Sequence, residues 1–248
     1  MTYCAALNLK EGMVFASDTR TNAGVDHIST FKKMYTFGVD GERSIIMLTA
    51  GNLATSQAVA NLLRSGIAQG SAQNLLNLPS LFECAMLVGE QASSVAKTSQ
   101  HRAHMQEGFG SNFLLGGQIK GQPQELYQIY QEGNCISATE DTPFFQIGES
   151  KYGKPIIDRV LKRSSSISHA VKCALISMDS TLRSNLSVGL PLDLATIRSD
   201  GLRIDSHQTI DNNDTYFQMI HTRWGESLLQ AFEALPDPET LLSGGGSD

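Results

Sequence analysis

The chain begins MTYCAALNLKEGMVFASD, residues 1–18. Two apolar runs, Thr2 to Leu9 and Met13 to Ser17, flank Lys10-Glu11-Gly12, a short glycine-containing connection of the kind that joins antiparallel strands. On this reading a β-hairpin starts directly behind the first methionine. Thr2 then has three possible meanings. It is a β-branched residue suited to a pleated surface, or a residue of a loose terminus, or a nucleophile that becomes the first residue of the chain once Met1 is removed.

The pattern continues outward from the hairpin. A polar stretch, DTRTNAGVDHIST, reads as a loop, and Lys33 to Gly38 with Ser44 to Ala50 reads as a second hairpin turning at Val39-Asp40-Gly41-Glu42. After Gly51 the period changes: Leu53, Val59, Leu62, Leu63 and Ile67 recur at helical spacing behind Asn52, a plausible N-cap. A second helix is expected from about Pro79 to Thr98. Strands return in SNFLLGGQIKG, ELYQIYQEG, NCISATE and FFQIGES, punctuated by Gly and Pro. Helices follow at about Gly153 to Lys162 and Ile167 to Arg183. Strands Val188 to Arg198 and Leu202 to Asp205 are expected to meet at Asp200-Gly201, and a last helix spans about Asp214 to Leu235. The order is strands, two helices, strands, two helices, strands, one helix. No linker interrupts it, so the expectation is one α+β domain over residues 1–240 in which helices cover two packed antiparallel sheets, with a flexible Gly/Ser tail at 241–248.

Composition narrows the function. With 41% hydrophobic and 18% charged residues the balance is globular, and a net charge of −6 does not suit a nucleic-acid surface. The cysteines Cys4, Cys84, Cys135 and Cys173 lack metal-type spacing and read as reduced thiols, which fits a cytoplasmic protein. The polar break at Asn8 to Gly12 argues against a signal peptide, and no apolar run reaches the ~18 residues of a membrane span.

Several motifs are dismissed on chemistry. Gly148 to Lys154 fits G-x-x-x-x-G-K, but Pro155 stands where a phosphate loop needs Ser or Thr for Mg²⁺, and it reads better as a helix-starting proline. The histidines include no HExxH pair, so no metal is expected, and neither is a cofactor. No G-x-S-x-G elbow marks a serine hydrolase. What remains is Thr2, Asp18, Lys33 and Gly51, which stand at the ends of the first strands and at the entrance of the first helix. Taken singly they are a strand Thr, a loop Asp, a solvated Lys and a helix-entry Gly. A two-sheet sandwich could gather them into one cleft.

Thr2, the run Ala16-Ser17-Asp18-Thr19-Arg20-Thr21, Lys32-Lys33-Met34 and Ala50-Gly51 resemble proteasome β-subunits and their bacterial relative HslV. Over essentially the whole chain the sequence resembles the bacterial proteasome-like proteins called Anbu, through TYC, FASDTRTNAGVD and STFKKM. The resemblance implies a four-layer αββα sandwich of the N-terminal nucleophile hydrolase type. It also implies a threonine-type peptidase or amidohydrolase acting on peptide or protein. In that scheme the Thr2 hydroxyl attacks and its α-amine is the base, Lys33 supplies positive charge, Asp18 holds Lys33, and the Gly51 N–H binds the oxyanion. Self-assembly into a ring or open spiral is implied, and a regulatory ATPase partner is possible. Two family features depart. The helper serine falls at Glu149, with Ser150 beside it, and the Arg-Asp-x-x-Ser-Gly-Gly run reads Arg183-Ser184-Asn185-Leu186-Ser187-Val188-Gly189, keeping the serine as Ser187, implied as a catalytic residue, but replacing the acid by Ser184; Glu149, Ser150 and Ser184 are implied as supporting residues. Alternatives are a non-catalytic assembly or peptide-binding subunit and a small-amide hydrolase on the same fold.

Overall fold

A computed structural model describes residues 1–22, 28–103 and 108–238. The expected hairpin is formed by β1 (Tyr3–Asn8) and β2 (Gly12–Asp18), with Cys4 opposite Ser17 and Leu7 opposite Val14. The chain continues through β3 (Arg20–Asn22), β4 (Ile28–Thr30), β5 (Met34–Val39), β6 (Arg43–Gly51), α1 (Leu53–Ala68), α2 (Leu81–Ala103), β7 (Ser111–Ile119), β8 (Glu125–Ile129), β9 (Cys135–Ser137) and β10 (Phe144–Gly148). It closes with α3 (Lys154–Val160), α4 (Ile167–Ser184), β11 (Leu192–Arg198), β12 (Ser206–Ile210) and α5 (Thr215–Glu233).

Two five-stranded antiparallel sheets result, ordered β10-β1-β2-β11-β12 and β5-β6-β7-β8-β9. The central strands β1, β2, β6 and β7 are buried on both faces, so their alternation sorts two apolar cores rather than core from water. Cys4, Ala6, Met13 and Phe15 of one sheet meet Ile46, Leu48 and Leu114 of the other. The opposite parity, Tyr3, Ala5, Leu7, Val14 and Ala16, packs under α4 residues such as Ala170, Cys173 and Met178. Ile45, Met47, Phe113 and Leu115 pack under Val59, Leu63, Cys84 and Val88 of α1 and α2. The four layers are therefore helix, sheet, sheet, helix: the expected αββα sandwich.

Helix starts follow the capping chemistry. Asn52, Ser166 and Asp214 accept the Thr55, His169 and Phe217 N–H groups at α1, α4 and α5. Pro155 lies in the first turn of α3.

Three expectations are corrected. The polar stretch after Asp18 is not wholly loop, because Arg20 pairs with Thr30 in a small two-stranded ribbon. The strand expected from Val188 starts at Leu192, because Asn185 folds the chain into a turn that takes the Val188 and Ser187 N–H groups, and Pro191 has no N–H to give. The strand expected over Leu202 to Asp205 lies at Ser206–Ile210 instead. Asp200 and Leu202 adopt positive φ of 60° and 48°, and the Gln118 amide clasps Asp200, so residues 199–205 are spent on the loop. The tail at 241–248 lies outside the described residues.

Phe15 is 0% exposed between the two sheets. Phe15→Ala is expected to cost about 3–5 kcal/mol of folding stability, read from denaturant unfolding. A loss below ~1 kcal/mol would mean that the sheets close over the gap and that this layer is not the tight one.

Candidate active site

Residue 2 is fixed by backbone on both sides. Tyr3 opposes Gly148 in the β1–β10 ladder, and the Glu149 N–H donates to the Thr2 carbonyl at 2.8 Å. Gly148 has φ +82°, and a Cβ there would collide with the Thr2 carbonyl oxygen, so the turn after β10 closes on residue 2 only with glycine. The other edge of β1 meets β2, whose last residue is Asp18.

Asp18 Oδ1 accepts two hydrogen bonds, from the Tyr3 N–H at 3.1 Å and from Lys33 Nζ at 2.7 Å. Lys33 Nζ also donates to the Arg20 carbonyl at 2.6 Å, and the Lys33 carbonyl accepts the Thr49 N–H at 3.0 Å. The pair is nearly dry, with side-chain exposures of 4% for Lys33 and 0% for Asp18. Burial pushes the Asp18 carboxyl above the ordinary carboxylate range, while Lys33 and the Tyr3 amide draw it part of the way back. Its second oxygen, Oδ2, is buried and makes no hydrogen bond. The Tyr3 phenol sits on the opposite face of β1, bonded to Ser177 and raised to about 12 by burial, away from this chemistry.

A cleft of about 560 Å³ opens over these groups, lined by Met1, Thr2, Thr21, Lys33, Thr49, Ala50, Gly51, Leu53, Ser56, Gly148 and Glu149. Gly51 ends β6 at φ +121°, and a Cβ there would stand 2.6 Å from the Gly110 carbonyl oxygen. The corner into α1 is braced by Ser56 and Ser111, whose hydroxyls both donate to the Asn52 carbonyl at 2.9 Å. Leu53, the first residue of α1, is in the wall, so the positive end of that helix dipole faces the cleft.

Of the residues singled out from sequence, Thr2, Lys33, Gly51 and Glu149 share this cleft, and Asp18 stands directly behind Lys33. Ser150, Ser184 and Ser187 are not among its lining residues. Ser184 is the exposed last residue of α4, and the Ser150 carbonyl accepts the Lys154 N–H at the start of α3. Ser187 is half-buried in the turn capped by Asn185. That turn still reaches the site indirectly: Arg20 Nη1 donates to the Leu186 carbonyl at 3.1 Å, and the Arg20 backbone carbonyl holds Lys33.

Thr21, Thr49, Leu53 and Ser56 line the cleft without having been singled out. For Thr49 a signal existed. It is the polar residue that breaks the odd-numbered run Ile45, Met47, Thr49, where alternation asks for another apolar side chain. Among the described residues no three His, Cys, Asp or Glu side chains converge as metal ligands, and no helix is long and apolar enough to cross a membrane.

Comparison with known proteins agrees with this fold. The family described as Proteasome subunit matches residues 2–197. The structure of Anbu, the ancestral beta-subunit, from Yersinia bercovieri is 51% identical with a TM-score of 0.90, covering 95% of this chain and 98% of that one. The Anbu complex from Pseudomonas aeruginosa, described as a helical assembly, is 48% identical with a TM-score of 0.91, covering 95% and 98%. A Gly-1 mutant of Anbu from Hyphomicrobium sp. strain MC1 is 44% identical with a TM-score of 0.89, covering 96% and 99%. No curated protein matches.

Lys33→Met leaves Asp18 as a buried carboxylate without its counter-charge. We expect a loss of about 3–5 kcal/mol near neutral pH. The sign of its pH dependence follows from Asp18. The folded pKa is already above the unfolded one and rises further without Lys33, so the folded state holds a proton that the unfolded chain has released. Stability of the variant therefore falls as pH rises through that window and recovers on acidification. Denaturant unfolding of both proteins at pH 7 and near pH 4 measures this, and an equal deficit at both would exclude Asp18 as the group responsible.

Proposed function

The chain belongs to the proteasome subunit family, and from that premise we propose that it is a threonine-type peptidase or amidohydrolase that becomes competent when Met1 is removed. The observation that carries this reading is the buried Asp18–Lys33 pair aimed at the cleft beside Thr2, with the same Asp18 oxygen holding the Tyr3 N–H. A solvated lysine has no need of such a cage. A lysine kept dry beside a hydroxyl lowers the cost of the alkoxide that forms on attack.

While Met1 is attached, the Thr2 nitrogen is an amide and cannot accept a proton. Once it is an α-amine its unperturbed pKa of about 7.7–8.0 suits a general base near neutral pH. In the proposed cycle the amine takes the Thr2 hydroxyl proton while Oγ bonds to the substrate carbonyl carbon. The Gly51 N–H, beside the positive end of α1, is the candidate oxyanion donor. The ammonium then protonates the departing amine, leaving an ester on Thr2, and water, deprotonated by the same amine, cleaves that ester. Ser187, Ser184 and Ser150 are supporting at most, since they lie outside the cleft wall. Peptide or protein is the substrate class, the cycle needs no cofactor, and the cell compartment proposed is the cytoplasm.

Self-association is part of the proposal. Beyond Ile220, α5 buries no further side chain and exposes Leu228 at 51%, Leu229 at 57% and Phe232 at 74%. Large apolar side chains displayed together mark a contact surface. The relative from Pseudomonas aeruginosa, described as a helical assembly, supports an assembly of copies, and a non-closing contact would extend it as an open spiral.

Two experiments check these statements. A peptide epoxyketone closes its ring only on a hydroxyl and a primary amine of one residue. Chains that begin at Thr2 are therefore expected to gain one inhibitor mass on the N-terminal peptide, while chains keeping Met1, and Thr2→Ala, gain none. Unmodified Thr2-first chains across several peptide sequences, tested on both sides of the α-amine pKa, would remove the main support for catalysis and favour a non-catalytic subunit. For assembly, light scattering should report particles several times the 26.9 kDa chain; monomer alone at every concentration contradicts it.

A further inference from the structure

Resting on the nucleophile reading above, removal of Met1 replaces one amide N–H at Thr2 by an ammonium with three donors, at the wall of the cleft. That wall already holds a buried carboxylate oxygen whose one cation is a surface lysine. Glu149 Oε2 is buried and receives no hydrogen bond. Lys151 Nζ comes within 3.3 Å, but it is poorly aligned and sits on an arm that is 68% exposed, whereas the Glu149 side chain is 15% exposed. A buried carboxylate oxygen without a donor calls for a physical explanation.

The backbone leaves Glu149 little room to withdraw. Its N–H is bonded to the Thr2 carbonyl at 2.8 Å, and the preceding Gly148 packs against that same oxygen. The charged groups around the future amine can be named element by element. Asp18, from the end of β2, and Lys33, ahead of β5, are engaged with each other. Arg20, from β3, turns its guanidinium to the Leu186 carbonyl. From α1 the wall holds only Leu53 and Ser56, with the positive helix end behind them. The turn after β10 supplies Glu149 and Lys151. Glu149 is thus the carboxylate of the cleft wall that has no buried cation.

We propose that Glu149 is the counter-ion of the Thr2 ammonium created by Met1 removal, and that it sets the pH at which this amine becomes a base. A carboxylate beside an ammonium favours the protonated form, so Glu149 raises the pH needed to free the amine, opposing Lys33, which lowers it. Glu149 acts through the amine and touches no reacting bond, so it is a positioning residue.

The test reads the amine itself and does not require turnover. Chains beginning at Thr2 are released from an N-terminal fusion and labelled with trace acetic anhydride across pH, and the N-terminal peptide is quantified by mass spectrometry. Glu149→Gln keeps the shape and removes the charge. The half-titration point of the Thr2 amine is expected to fall by about one pH unit relative to the parent chain. Lys151→Met, at an exposed arm, is expected to raise it. Where peptide hydrolysis is measurable, the acid limb of kcat/KM should move with the amine. Identical titration of parent and Glu149→Gln chains, or a rise in Glu149→Gln, overturns the proposal. A missing epoxyketone adduct in the parent would instead sink the nucleophile reading and leave the amine titration interpretable.

Discussion

Everything near residue 2 is arranged around one buried ion pair. Asp18 and Lys33 bring together the edge of β1 through the Tyr3 N–H, the end of β2, the Arg20 carbonyl of β3 and, through the Lys33 carbonyl, the Thr49 N–H of β6. Four strands and the segment before β5 are thereby pinned at a single oxygen–nitrogen contact. Such a pair contributes little net stability, because taking both charges out of water costs several kcal/mol per ion. The energy that tolerates it comes from the three apolar layers on either side, and what the pair supplies is position. Two strands from one sheet and one from the other converge there.

The sandwich was readable because strand and helix periods in this chain are long and well punctuated. Asn52 announced the first helix, and Lys10-Glu11-Gly12 announced the first hairpin. Legibility failed where tertiary contacts overruled local pattern. Nothing local says that Gln118, eighty-two positions away in sequence, holds Asp200 in a wide loop and delays β12. Nor does local pattern pair Arg20 with Thr30 across a polar stretch. In the site, Thr2, Asp18, Lys33 and Gly51 were legible because they stand at element ends. Thr21 and Ser56 were not, since a hydroxyl on a strand or helix looks the same whether it faces a cleft or water.

The turn at residues 184–189 shows how placement decides what a motif can do. Ser184 ends a helix, so its side chain is carried outward with the last turn. Asn185 then caps the reversal with its own amide oxygen. The serines of this run stand outside the wall, while the Leu186 carbonyl and Gly189 embrace Arg20 from behind. The run therefore acts on the cleft as a buttress for Arg20, whose carbonyl in turn orients Lys33. The acidic group that faces the cleft enters from the opposite side, on the turn after β10.

The ladder that seats β1 also has a consequence in time. Tyr3 is paired with Gly148, and β2 with β11 out to Leu192, so β1 and β2, which pair with each other at once, wait well over a hundred residues for their outer neighbours. At 5–20 residues per second, the interval between them is on the order of 10 s. Throughout that interval β1 is paired with β2 alone and its other edge is open. Once β10 arrives, the Glu149 amide and Gly148 hold the Thr2 carbonyl. The fold thus fixes the carbonyl side of residue 2 late in synthesis and leaves its nitrogen side, with Met1 61% exposed, facing solvent.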